Sequence, residues 1–269
     1  MKDKRVLYVS SEVIPYLPET EISSMSFEAP RMVNNNEGQI RIFMPRYGNI
    51  NERRHQLHEV IRLSGMNLVI NDMDVPLIIK VASIPKERMQ VYFIDNEDYF
   101  KRKATFADEE GNFFSDNDER AIFFAKGVIE TVKKLNWSPD IIHVHGWLAS
   151  FLPLYLKKYY DNEPLFENSK IVTSVYNQGF EGTLDTQVIN KIMFDGIDEE
   201  TVMELKVPDY VNMMKVAVKN SDAVVIGSEE IPKELEEFLN TLEMPVLKYH
   251  NLDVFSEAYL DFYHSKVLV

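Results

Sequence analysis

What most constrains this chain is a recurring unit: a short, almost wholly apolar run, a polar stop, then a stretch with helical spacing. Arg5 to Ser10 (RVLYVS), Asp140 to Val144 (DIIHV), Lys170 to Val175 (KIVTSV) and Asp222 to Ile226 (DAVVI) are such runs. Runs this short and this continuously apolar suit strands covered on both faces, whereas one-sided strands alternate. Strand–helix–strand repetition then specifies parallel pairing with right-handed crossovers. The expectation is an α/β fold: one Rossmann-like domain over residues 1–269, with a mostly parallel sheet.

The remaining segments fill in that outline. Gln39 to Met44 is a second strand stopped by Pro45, and Met89 to Ile94 is a further one. Between the first two strands, a helix within Glu19–Asn35 is limited by Pro30 and the Asn34–Asn36 run. Met66 to Ile70 and Leu77 to Ile84 flank a polar stretch, Asn71 to Asp74, and predict a β-hairpin extension from Met66 to Ile84. Asp116 to Leu135 has helical spacing, with Ser115 or Asp116 as its cap. Trp147 to Tyr160 is the next helix, Ser228 caps another that ends at Phe238, and Asp253 to Val269 is a terminal helix packed back on the domain.

Composition excludes several function classes. The formal net charge is −14, with 43 acidic against 29 basic residues, so neither nucleic acid nor an anionic membrane surface is an expected partner. There is no cysteine, which removes disulfides, thiolate metal sites and a cysteine nucleophile. The first apolar run is broken by Ser10, Ser11 and Glu12, too early for a secretory signal, and a cytoplasmic location is the expectation. No P-loop, dinucleotide fingerprint or serine triad is present. The carboxylates Asp108, Glu109 and Glu110 read as a solvated loop. His143 and His145 are expected to point to opposite sides of their strand, which would make them poor metal partners. No metal and no cofactor is expected.

Six separated strings carry a resemblance. They are Ser11–Tyr16 (SEVIPY), Ile40–Gly48 (IRIFMPRYG), Asp118–Arg120 with Phe123–Phe124, Pro139–Trp147 (PDIIHVHGW) with Pro153–Lys157, Ser174–Gly182 (SVYNQGFEG), and Ser221–Val224 with Ser228–Ile231. In this order they resemble the N-terminal domain of the starch and glycogen synthase family of retaining glucosyltransferases. The resemblance implies two Rossmann-like domains facing each other across a cleft. The N-terminal one presents the α-glucan acceptor; the C-terminal one binds a nucleotide sugar such as ADP-glucose. The chain stops where the first domain of such an enzyme should, so the donor-binding domain is expected to be absent. Glu12, Tyr47, Arg120, His145, Trp147, Asn177 and Gly182 are the substrate-binding candidates.

The departures from the resembled pattern are specific. Where the family has Lys-Thr-Gly-Gly-Leu after its first turn, this chain reads Pro18-Glu19-Thr20-Glu21-Ile22. Pro18 has neither the charge nor the N–H of the lysine, and Glu19 and Glu21 bring negative charge to a place that cradles phosphate. Gly146 stands where the family has an aspartate, and Tyr176 where it has a histidine. A neutral phenol near pH 7 cannot do the work of an imidazole. No catalytic residue is assigned: the family's positions, as the resemblance implies them, are substituted at Pro18, Gly146 and Tyr176. Three readings follow: a non-catalytic protein binding α-glucan or a partner in glycogen metabolism, a glucosyltransferase completed by a donor-binding domain on another chain, and a structural homo-oligomer that uses the open cleft as its interface.

Overall fold

The computed structural model describes all residues, 1–269. Ten strands are present: β1 (Arg5–Ser10), β2 (Gln39–Pro45), β3 (His58–Glu59), β4 (Met66–Ile70), β5 (Met73–Ser83), β6 (Gln90–Asp95), β7 (Ile141–His145), β8 (Lys170–Val175), β9 (Ala223–Ile226) and β10 (Val246–Leu247). The helices are α1 (Glu21–Asn35), α2 (Glu52–His55), α3 (Glu97–Phe100), α4 (Asn117–Lys134), α5 (Phe151–Lys158), α6 (Val188–Phe194), α7 (Tyr210–Lys219), α8 (Lys233–Leu239) and α9 (Phe255–Phe262). The strand order is β10-β9-β8-β7-β1-β2-β6-β5-β3, with β4 paired to β5. From β10 to β6 every pairing is parallel, while β5 pairs antiparallel with β6, β4 and β3. This is the expected α/β sheet, and one core cluster of 79 buried residues holds it.

The local chemistry explains each element. Residues 141–145 are buried throughout, as a strand sandwiched between helices must be. The hairpin turn falls at Asn71 and Asp72, which both take positive φ (47° and 64°), the conformation that fits the right-handed twist of the strands. The hairpin is not a detached extension, because β5 runs eleven residues and also pairs with β6. Pro30 lies inside α1, which continues to Asn35. Pro30 removes one helical N–H, but its ring is buried against the core, and the capping box of Thr20 and Ser23 secures the other end. The Asn34–Asn36 run does end this helix, with Asn36 as its C-cap.

Two expected caps are corrected. Asp116 occupies the N-cap position of α4 but makes no capping bond, because its carboxylate takes both terminal nitrogens of Arg102 at 2.9 and 2.5 Å. Ser228 caps no helix: α8 begins only at Lys233, after Pro232, and the Ser228 hydroxyl is committed elsewhere. The segment from Trp147 begins as a single 3₁₀ turn before α5. The terminal helix α9, extended by a wider turn over Tyr263–Val267, packs on the sheet as expected.

Candidate functional site

Strand order reverses between β1 and β7: the chain steps from β1 to β2 to β6 on one side, then from β7 through β10 on the other. In open α/β sheets the crevice for ligands lies at the carboxyl ends of the strands at this reversal. The loops that meet there carry Ser11 to Ile22, Gly146 and Trp147, Tyr176 to Gly182, and Gly227 to Ser228. Six of the seven binding candidates come from these loops or from the strand ends beside them. Arg120 instead lies in the first turn of α4.

The crevice is closed on itself. Glu12, 7% exposed, accepts a hydrogen bond from the Thr20 hydroxyl at 2.7 Å and bonds to the Gln178 amide at 3.1 Å. Glu21 accepts from the Ser228 hydroxyl at 2.5 Å, and Ser228 Oγ in turn accepts the Asn177 backbone N–H at 2.9 Å. At the start of α1, the Ser23 amide is taken by Thr20 Oγ1 and the Thr20 amide by Ser23 Oγ. A helix N-terminus normally offers free amides and a positive dipole end to an anion. Here its first residue is Glu21, and Pro18 and Glu19 are exposed on the approach. The acidic residues read from the sequence are therefore held by hydrogen bonds within the protein, while Ser11 Oγ and His145 Nε2 beside them stay without a partner.

The backbone at Gly146 leaves no room for a larger side chain. Its φ is +80°, and a Cβ built there would overlap Ser11 Oγ and press on Ser11 Cβ at 3.0 Å. An L-residue at that φ is strained whatever space surrounds it. The Ser11 amide also donates to the His145 carbonyl at 3.0 Å, which fixes the two loops against each other.

His143 and His145 do not point apart. Residues two apart on a strand share a face, and their ring centroids lie 4.1 Å from each other, a correction to the sequence reading. Both are fully buried. His143 bonds Tyr263 OH at 2.5 Å and Ser174 Oγ at 2.8 Å; His145 bonds Tyr176 OH at 2.7 Å through Nδ1 and leaves Nε2 without a partner. Burial drives the pKa of His143 well below its ordinary value, with the neighbouring His145 ring adding to the effect, and burial pulls His145 down to about 3. Both imidazoles are thus neutral at neutral pH. No group of three or more His, Asp or Glu side chains is arranged to hold a metal ion. Tyr176 is 1% exposed and is locked by His145 and by the Tyr210 hydroxyl, which donates to its carbonyl at 2.5 Å.

The other candidates divide by exposure. Tyr47 and Arg120 are fully buried, with the guanidinium carbon 5.8 Å from the Tyr47 ring centre and 5.0 Å from that of Phe100. Arg120 bonds Asn117 Oδ1 at 2.5 Å, and desolvation lowers its pKa to about 10. Trp147 is 2% exposed and packs against Phe106, Phe113 and Phe180 at 4.7, 5.5 and 4.9 Å. Asn177 and Gly182 are exposed, and Gly182 sits at φ +79° in open space, a turn position. Sequence reasoning missed the partners that close the crevice, Ser11, Thr20, Gln178 and Ser228. It also missed Phe106, Phe113 and Phe180, which pack around Trp147 from 33 to 41 residues away along the chain, so no local pattern signals them.

Comparison with known proteins agrees with this architecture. Residues 5–244 match the family described as starch synthase catalytic domain. The glycogen synthase of Chlorobium luteolum is 36% identical over 230 residues, covering 85% of this chain and 46% of that protein. That of Chlorobium limicola is 35% identical over 232 residues, covering 86% and 47%. In fold, the catalytic domain of starch synthase IV from Arabidopsis thaliana, bound to ADP and acarbose, superposes with a TM-score of 0.76 at 18% identity, over 93% of this chain and 52% of that one. The chain spans about half the length of the curated relatives it matches. No helix is long and apolar enough to cross a membrane. On the match over residues 5–244 and the extent of these identities, the chain belongs to the starch synthase catalytic domain family.

Proposed function

We propose that this chain is an acceptor-side, glycogen synthase-like domain that holds α-glucan, or a protein partner in glycogen metabolism, and does not transfer glucose by itself. The observation that carries the proposal is the closed crevice. Glu12 and Glu21 are bonded to hydroxyls and an amide where a phosphate would sit, and Gly146 at φ +80° has no room for a carboxylate. Half-buried Phe113 and Phe180, stacked at 4.9 Å and 21°, leave an aromatic surface at the rim of the kind on which sugar rings stack. Affinity electrophoresis through glycogen-containing gels tests this reading. Retardation supports it; free migration together with no synthase-family partner in pull-downs overturns it.

A second reading is favoured by length. The relatives run to about twice this span, and a donor-binding domain supplied to this one would complete a glucosyltransferase. Mixing this chain with such a domain and assaying glucose transfer from ADP- or UDP-glucose separates the two readings. A homo-oligomer is a third, supported by the exposed apolar side chains Phe194, Met203 and Val207, each at least half exposed. Light scattering across concentrations decides it.

A further inference from the structure

We propose that the pocket between α2 and the turn joining β5 to β6 binds a phosphate dianion, either free or carried on a small sugar. The pocket has a volume of about 470 Å³ and is lined by Arg54, His55, His58, Ser83, Lys86 and Glu87, among others. It lies apart from the crevice at the β1–β7 reversal and does not depend on the function proposed for that crevice.

Charge distribution carries the argument. The chain has 43 acidic residues against 29 basic ones, so a cation on its surface has carboxylates in excess to choose from. Nearby cations do choose them. Arg46 pairs with Asp95 at 3.0 Å and Glu52 at 3.4 Å, and Lys80 pairs with the same two at 3.0 and 2.7 Å. Arg54, two residues from Glu52, and Lys86 have no acidic partner. The single carboxylate on the pocket wall, Glu87, is turned to Arg31 at 3.6 Å. Arg53 and Arg88, next in the chain to the lining residues Arg54 and Glu87, also form no ion pair, which sets four unpaired cations against the one unpaired carboxylate of Glu59 beside His58, on a protein of net charge −14.

Backbone turns and one aromatic contact set where the lining residues sit. Lys86 sits in the β5–β6 turn at φ +66°, a region that a non-glycine residue seldom occupies, on the pocket wall facing α2. His55 packs against Tyr16 at 5.0 Å, and Tyr16 is in turn fixed edge-on against Phe93 at 4.9 Å. Gln56 ends α2 in the left-handed region, φ +55°, and this reversal brings His58 onto the same wall as His55. Arg54, Lys86, His55, His58 and Ser83 border one concavity, and their guanidinium, ammonium, imidazole and hydroxyl groups are donors of the kind that a phosphate's oxygens require.

Titration calorimetry with inorganic phosphate and, in a separate arm, with a hexose phosphate tests the site. The His55 and His58 ring resonances are followed by NMR in the same titrations. Saturable binding with both imidazole resonances shifting is the expected result. A tighter hexose phosphate identifies the sugar ester as the occupant, and equal affinities identify the bare anion. Arg54→Gln and Lys86→Gln, both at exposed positions, should each weaken binding about tenfold while leaving the far-UV circular dichroism unchanged. The proposal is overturned if the resonances do not shift saturably, or if the double variant binds as the parent does.

Discussion

Lowering the pH should unfold this protein through two histidines. His143 and His145 are fully buried, 4.1 Å apart and held neutral in the folded state, His145 down to about 3. In the unfolded chain each titrates near its ordinary value of about 6.5. Between these values the unfolded state binds the protons and the folded state does not. The stability associated with this pair is therefore fully present above about pH 6.5 and falls as the pH drops below it. Each group contributes a slope of about 1.4 kcal/mol per pH unit, so two groups cost about 4 kcal/mol between about pH 6.5 and 5. That is a large part of the 5–15 kcal/mol or so that holds a domain together. His55, whose pKa is also lowered by burial, acts in the same direction. Asp118, raised by burial, acts oppositely, but nearer the carboxylate range. Urea unfolding followed by circular dichroism at a series of pH values measures the slope directly. His145→Gln, which keeps a hydrogen-bonding side chain beside Tyr176, should reduce it to about half. A flat stability profile across this window, or an undiminished slope in the variant, would refute the reasoning.

Three further outcomes are expected. Gly146→Ala should destabilise the domain by at least about 2 kcal/mol, from positive-φ strain and overlap with Ser11, and pairing it with Ser11→Gly should recover part of the loss in chemical denaturation. Tyr176→Phe strips His145 of its one side-chain hydrogen bond in a fully buried setting and should cost about 1–3 kcal/mol by the same measurement, with little change in volume. Lys191, 9% exposed, bonds Asp118 at 2.7 Å and Glu119 at 2.8 Å, so Lys191→Met should strand a fully buried carboxylate. The expected cost is about 3 kcal/mol, seen also as faster proteolysis of the segment from Leu184 to Val207 that Lys191 anchors to α4.

The fold could be read from the chain because its strands obey a local rule. Residues 141–145 and 170–175 are apolar enough to be placed without knowing their neighbours, and alternation with helices dictates parallel pairing. Caps were less readable, because a side chain that could cap a helix can find a better partner far along the chain. Asp116 prefers Arg102, fourteen residues away, and Ser228 prefers Glu21, more than two hundred away. A sequence window contains neither partner.

The crevice shows the same limit more sharply. The substitutions expected from the resemblance are visible in the sequence one at a time, at Pro18, Gly146 and Tyr176 as losses of charge or of a titrating group and at Glu21 as a gain of charge. What each residue does instead depends on contacts between loops that meet only in the fold. Gly146 gives its space to Ser11, Tyr176 satisfies His145, and Glu21 accepts from Ser228, which supports the Asn177 amide. Each of these contacts removes a reason for the neighbouring position to keep a ligand-binding side chain. An aspartate at 146 would collide with Ser11, and a histidine at 176 would leave His145 short of its phenol. Aspartate at 146 or histidine at 176 therefore breaks a contact that the neighbouring loops depend on, so either single substitution should lower stability.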